Sequence, residues 1–175
     1  GLGDVYKRQS LLNALNDLGA EAFSTKGNGY LPAVIGGRLK GGETTVDGIT
    51  SQFLTSLLIN CPLADGDSLI RVTDLRERPY VDMTLRWLEK QEIKPQNENY
   101  ETFRIQGGKS YLPFVEVIPA DFSSATFFLC AAAITNSWIM LHGLDMDDTQ
   151  GDKEVVNYLT DMGPNIDVMD EACLL

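Results

Sequence analysis

Basic residues are scarce in this chain. Its 175 residues carry 14 Lys and Arg against 25 Asp and Glu, a net charge of −11. Nucleic-acid binding rests on clustered cations, so no duplex or single-strand partner is expected. A small anionic ligand is still allowed, because it senses only its local site. Cysteine is also rare: Cys61, Cys130 and Cys173 are odd in number and out of metal-ligand spacing. Cys61 and Cys130, in apolar helical context, read as small buried hydrophobes, and a reducing, cytoplasmic setting fits. The one histidine, His142, follows a strand-like run and reads as structural. No metal is expected. No apolar run nears the roughly 20 residues of a membrane span. The longest, from Ala125 to Ile134, reads as a buried helix.

What the chain does have is a repeat. Gly48-Ile49-Thr50-Ser51-Gln52-Phe53-Leu54 returns in altered form as Asp121-Phe122-Ser123-Ser124-Ala125-Thr126-Phe127. In both, a pair of hydroxyl residues opens a strongly apolar helix. Ser124 follows Ser51 by 73 positions, and the helix ends at Gly19, Glu92 and Gly163 fall at similar steps. A period this long marks a repeated supersecondary unit rather than a solenoid turn.

The pattern along the chain predicts helices at 10–18, 50–60, 79–91, 123–134 and 153–162, from 3.6-residue apolar spacing and from breakers such as Gly19 and Pro62. Strands are predicted at 21–24, 31–35, 43–47, 68–72, 114–118, 138–141 and 165–169, with a hairpin of 94–97 and 102–106 closed by Gly107-Gly108. The order β-α-β-α-β-β occurs once complete, once as a tail and once as a head. Helices 50–60 and 123–134 are apolar nearly all round and are expected to be buried on every side. Gly1 to Gln9 shows no such period and reads as a leader foreign to the rest. The chain as a whole reads as a piece cut at both ends.

The hydroxyl pair at 50–51 has two readings. It can simply cap its helix. It can also bind an anion, since the first backbone N–H groups of a helix are unpaired and sit at the positive end of its dipole.

Five motifs in order carry a resemblance: Asp47-Gly48-Ile49-Thr50-Ser51-Gln52-Phe53-Leu54, Arg78-Pro79-Tyr80-Val81-Asp82-Met83-Thr84-Leu85, Ile105-Gln106-Gly107-Gly108 with Tyr111, Ala120-Asp121-Phe122-Ser123-Ser124-Ala125, and Gln150-Gly151-Asp152. Over about residues 10–169 the chain resembles the EPSP synthase family of enolpyruvyl transferases. The resemblance implies an inside-out α/β barrel fold of βαβαββ units. It implies three segments: the leader at 1–9, the end of a shikimate-phosphate-binding domain at 10–110, and the truncated first unit of a second domain at 111–175. It implies transfer of the enolpyruvyl group from phosphoenolpyruvate to the 5-hydroxyl of shikimate 3-phosphate, in a protein that is usually monomeric and needs no cofactor.

By the same resemblance Thr50 and Ser51 bind the shikimate phosphate, Gln52 contacts both substrates and Tyr80 packs on shikimate. Arg78 and Asp121 are further candidates. Asp152 is read as a helix cap. Glu77 departs from the pattern: some members have a phosphate-binding Ser there, and a carboxylate opposes phosphate unless it points away. Arg76 or Arg78 could compensate. Arg8 is not assigned a role. The main catalytic acid or base is expected outside the chain, so the piece alone is expected to be inactive. Two other readings are a non-catalytic module of the same fold and a UDP-N-acetylglucosamine enolpyruvyl transferase, the latter disfavoured because Thr50-Ser51-Gln52-Phe53 replaces its Gly-Ala-Thr-Glu.

Overall fold

The computed structural model describes residues 8–169 and 172–174. Residues 1–7 of the expected leader lie outside the described residues. The chain divides into two compact units, Gly1–Leu112 and Pro113–Leu175.

The first unit begins with α1 (Gln9–Asp17), β1 (Glu21–Ser24) and β2 (Ala33–Gly36), the two strands pairing antiparallel. Leu12, Ala14, Leu15 and Leu18 are the buried face of α1 and its exit. Leu31 and Pro32, placed in a strand by the sequence pattern, stay outside β2.

Next comes the full βαβαββ unit: β3 (Gly42–Asp47), α2 (Ser51–Asn60), β4 (Ser68–Thr73), α3 (Arg78–Lys90), β5 (Gln96–Glu98) and β6 (Thr102–Ile105). The sheet order is β3-β4-β6-β5. β3 and β4 pair in parallel from Gly42–Ser68 to Asp47–Thr73, and the remaining pairs are antiparallel. Parallel neighbours need a crossover, and α2 is that crossover. α2 buries Phe53, Leu54, Leu57 and Leu58 and packs against α3. Each such side chain contributes roughly 1.5–3 kcal/mol when fully buried, against about 1 kcal/mol for a capping residue, so packing holds this helix. Cys61 follows in a 3-10 turn (Cys61–Leu63) that also takes in Pro62. Burial pushes the Cys61 thiol up to about 11, as an inert hydrophobe requires.

Three stretches of backbone meet at one end of this sheet. A Cβ at Gly107 would lie 2.5 Å from the Gly66 carbonyl carbon, and one at Gly41 2.6 Å from the same atom. Gly41 also has φ +91°. Gly108 N–H donates to Ala64 O at 2.7 Å, and Gly107 N–H to Asp67 Oδ1 at 3.0 Å. The double glycine read as a hairpin end is therefore a close backbone crossing.

The second unit holds α4 (Phe122–Thr135), β7 (Met140–His142), a 3-10 turn (Gly151–Lys153), α5 (Glu154–Asp161), β8 (Asp167–Met169) and β9 (Ala172–Leu174). The order β7-β9-β8, all antiparallel, repeats the β4-β6-β5 arrangement of the first unit. The α/β class and the repeated unit are as expected.

Three expectations fail here. Residues 114–118 are not a strand: Phe114, Val115, Val117 and Ile118 are all exposed and no ladder partner lies beside them among the described residues. The segment is tied instead by one bond just beyond it, from Ala120 N–H to Gly143 O at 2.6 Å. Second, α4 is not buried on every side. Phe122, Ala125, Leu129 and Ala132 face the unit's core, but Phe127 and Ile134 are 77% and 85% exposed. The unit supplies one packing surface for the helix, made by Leu144, Val156 and Leu159. Third, Asp152 does not cap α5; it sits inside the 3-10 turn that precedes it. The buried group of that motif is Gln150. Its Oε1 accepts from Phe122 N–H at 2.8 Å and its Nε2 donates to Ala120 O at 2.9 Å, tying the motif to the start of α4.

Gly107→Ala is expected to destabilise the first unit by about 1–3 kcal/mol through forced backbone displacement. Gly36→Ala, whose Cβ meets nothing within 4 Å, should stay within about 0.5 kcal/mol. Urea denaturation of the two variants checks this.

Candidate functional site

The candidate site lies where α2 and α3 begin. β3 ends at Asp47, whose Oδ1 accepts from Ile49 N–H at 2.9 Å and turns the chain. Thr50 is extended (φ −119°, ψ 133°) and is the N-cap, its hydroxyl accepting from Gln52 N–H at 3.4 Å. Ser51 is the first helical residue and is 6% exposed. The Gln52 side chain is exposed.

Ser51 already has an anionic partner. Its N–H and its hydroxyl both donate to Oε2 of Glu77, at 3.3 and 2.9 Å. Glu77 therefore does not point away from the helix start, as a free phosphate site would need. It sits at the N-cap position of α3 but makes no capping bond to its own helix. Of the two arginines beside it, Arg76 binds Asp74 through Nε at 3.1 Å and a terminal nitrogen at 2.7 Å. Arg78 lies over the Tyr100 ring at 5.0 Å.

Tyr80, 42% exposed, stands in the first turn of α3, one turn before Thr84. The Thr84 and Thr55 hydroxyls meet at 3.1 Å and tie α3 to α2. Thr50, Ser51 and the first turn of α3 with Arg78 and Tyr80 are thus neighbours through Glu77. The Tyr100 hydroxyl donates to Asp82 Oδ1 at 2.6 Å, which with partial burial raises its pKa. This Arg78–Tyr100–Asp82 cluster was not anticipated. Its one sequence signal was Asn99, which with Tyr100 takes a positive φ in the β5–β6 turn. Arg8 stacks over Phe53 of α2 at 5.6 Å.

Asp121 belongs to the second unit. It is the N-cap of α4, and its carboxylate accepts from the N–H and hydroxyl of both Ser123 and Ser124. Those bonds, the Ser124 hydroxyl first, hold its pKa below the ordinary carboxylate value.

A groove of about 630 Å³ in the first unit, lined by Leu15, Ile35, Arg38, Leu39, Ser56 and Lys109, contains none of the expected site residues. Arg38 is engaged there with Asp65 at 3.0 Å. Its chemistry does not match a phosphate cradle as the helix start does. Among the described residues no cluster of His, Cys, Asp and Glu could hold a metal ion.

The architecture is that of solved EPSP synthases: a structure from Acinetobacter baumannii superposes with a TM-score of 0.72 at 22% identity, covering 95% of this chain and 38% of that one. That likeness defines an enolpyruvyl-transferase-type α/β fold. The family model for EPSP synthase (3-phosphoshikimate 1-carboxyvinyltransferase) matches residues 8–174, and the chain belongs to the EPSP synthase family. It is 55% identical over 170 residues to the 3-phosphoshikimate 1-carboxyvinyltransferase of Acetivibrio thermocellus, covering 95% of this chain and 40% of that relative. It is 49% identical over 164 residues to that of Ruminiclostridium cellulolyticum, covering 93% and 39%. The chain therefore spans about 40% of the length of these relatives.

The lowered pKa of Asp121 has a definite sign. Its stabilisation of α4 is full above the ordinary carboxylate pKa of 3.8 and is lost as pH falls through its lower folded value. Asp121→Ala should speed amide exchange at Ser123 and Ser124 at neutral pH. The difference from the unsubstituted chain should shrink steadily below pH 3.8.

Proposed function

We propose that the whole protein joins phosphoenolpyruvate to the 5-hydroxyl of shikimate 3-phosphate and releases phosphate. Membership of the EPSP synthase family supports this reading, together with the hydroxyl pair at the start of α2. The reaction adds a proton and the alcohol across the enol ether, giving a tetrahedral intermediate that eliminates phosphate. It calls for a proton-transfer group and for positive charge around two anionic substrates. No cofactor enters this scheme, and the reading implies a cytoplasmic enzyme working as a monomer. No helix of the described residues is long and apolar enough to cross a membrane.

In this scheme residues 10–110 are the end of the shikimate-phosphate-binding domain and 111–175 open the second. Ser51 N–H and the Thr50 and Ser51 hydroxyls receive the substrate phosphate. Gln52, exposed on the first turn, reaches toward both substrates, and Tyr80 packs against the shikimate ring. Arg78 is a further candidate beside them, and Asp121 a further candidate in the second domain. The main acid or base and most phosphoenolpyruvate-binding cations belong to the part of the relatives' length that this chain does not span. The 175-residue chain should therefore bind without turning over.

NMR titration with shikimate 3-phosphate, beside unphosphorylated shikimate, tests the site. A millimolar Kd is expected, about −4 kcal/mol, with the largest shifts at Thr50, Ser51 and Gln52. Ser51→Ala should weaken binding about tenfold, the lower end of what one charged hydrogen bond contributes. Equal shifts for the two ligands would show that the hydroxyl pair only caps the helix.

A further inference from the structure

We propose that Glu77 is a displaceable counter-anion at the start of α2, which a phosphate ligand must push aside and which thereby sets the affinity and phosphate selectivity of this site. The inference rests on the reading of that site as a phosphate site. It stands on a contrast between the two units.

A carboxylate meets a serine at both helix starts, Glu77 at Ser51 and Asp121 at Ser123 and Ser124, but the carboxylates arrive differently. In the second unit the anion is local: Asp121 lies three residues before Ser124 and is the cap itself. The repeat places Gly48 at the equivalent position of the first unit. A side chain there would force the backbone to move, since a Cβ at Gly48 would stand 2.8 Å from the Leu75 Cα and 3.0 Å from its nitrogen. The anion comes instead from Glu77, 26 residues away at the tip of another helix.

That difference makes the Glu77 carboxylate removable. Its side chain is exposed, has three rotatable bonds and is not needed as a cap for α3, where it makes no capping bond. Rotating it away leaves Thr50 capping α2 and the Thr55–Thr84 link in place. Ser51 N–H and hydroxyl are then both available, and both are pooled on one oxygen at present. A phosphate dianion and a carboxylate cannot share these two donors, because they repel and each needs the same hydrogens. A ligand with no phosphate need not displace Glu77, so the carboxylate lowers affinity for phosphorylated ligands only. Glu77→Gln keeps the size and one acceptor oxygen but removes the charge.

Isothermal titration and NMR on the full 175-residue chain test this with shikimate 3-phosphate, unphosphorylated shikimate and inorganic phosphate. E77Q should bind shikimate 3-phosphate at least about tenfold more tightly, equivalent to about 1.4 kcal/mol, with unphosphorylated shikimate changed less than about twofold. Inorganic phosphate should shift the Ser51 and Gln52 amides of E77Q at concentrations that leave the unsubstituted chain unmoved. Unchanged thermal stability in E77Q, with Glu77→Ser as a second neutral variant, guards against a folding effect. Phosphate affinity equal to or weaker than the unsubstituted chain in both variants would overturn the proposal while leaving the substrate reading intact. If inorganic phosphate engages E77Q at these amides but shikimate 3-phosphate engages neither protein, the counter-anion role stands and the substrate reading falls.

Discussion

The parallel pairing of β3 with β4 is the constraint on which the first unit depends. Two parallel neighbours cannot be joined by a turn, so the chain must leave the end of β3, cross the sheet and re-enter at the start of β4. α2 makes that crossing and buries Phe53, Leu54, Leu57 and Leu58 as it does so. The same geometry puts the start of α2 just beyond the C-terminal end of β3, where its first N–H groups lack intrahelical partners and are met by side chains. α3, which follows β4, begins at the same end, and this is how Glu77 comes within reach of Ser51. The candidate site is therefore a consequence of the crossover rather than an addition to it.

The two helix starts show how one unit can be put to different uses. Each places at least one serine, with its hydroxyl and its N–H, before a carboxylate. Asp121 is bound to its partners by chain connectivity and behaves as part of the helix. Glu77 is bound to its partner only by folding. Close approach of Leu75 leaves no room for a side chain at Gly48, the position that the repeat pairs with Asp121, without a backbone shift.

Much of the fold was legible because it depends on short-range pattern. The apolar spacing of 51–60 and 79–90, the Pro79 start of α3 and the Gly107-Gly108 close all lead to the observed elements within a residue or two. Residues 114–118 were misread because alternating apolar side chains make a strand only when a ladder partner stands beside them, and that partner is a tertiary fact. α4 was misread for a related reason: an apolar circumference says what a helix can bury, not how many surfaces its unit offers. β9 was not anticipated, since its three residues carry no local pattern of their own and take their state from pairing between β7 and β8.

The sequence by itself determined the family motifs, the two hydroxyl-opened helices, the repeat that relates them and the acidic charge that weighs against a nucleic-acid partner. It marked Glu77 as out of place. Only the tertiary structure decided where that carboxylate goes, that Arg76 and Arg78 engage Asp74 and Tyr100, and that Gly107 and Gly41 crowd one carbonyl. The reason is the range of the forces. Helix starts, caps and turns are set by residues within about four positions of one another. A hydrogen bond across 26 positions exists only after the parallel sheet has brought two helix starts to the same edge.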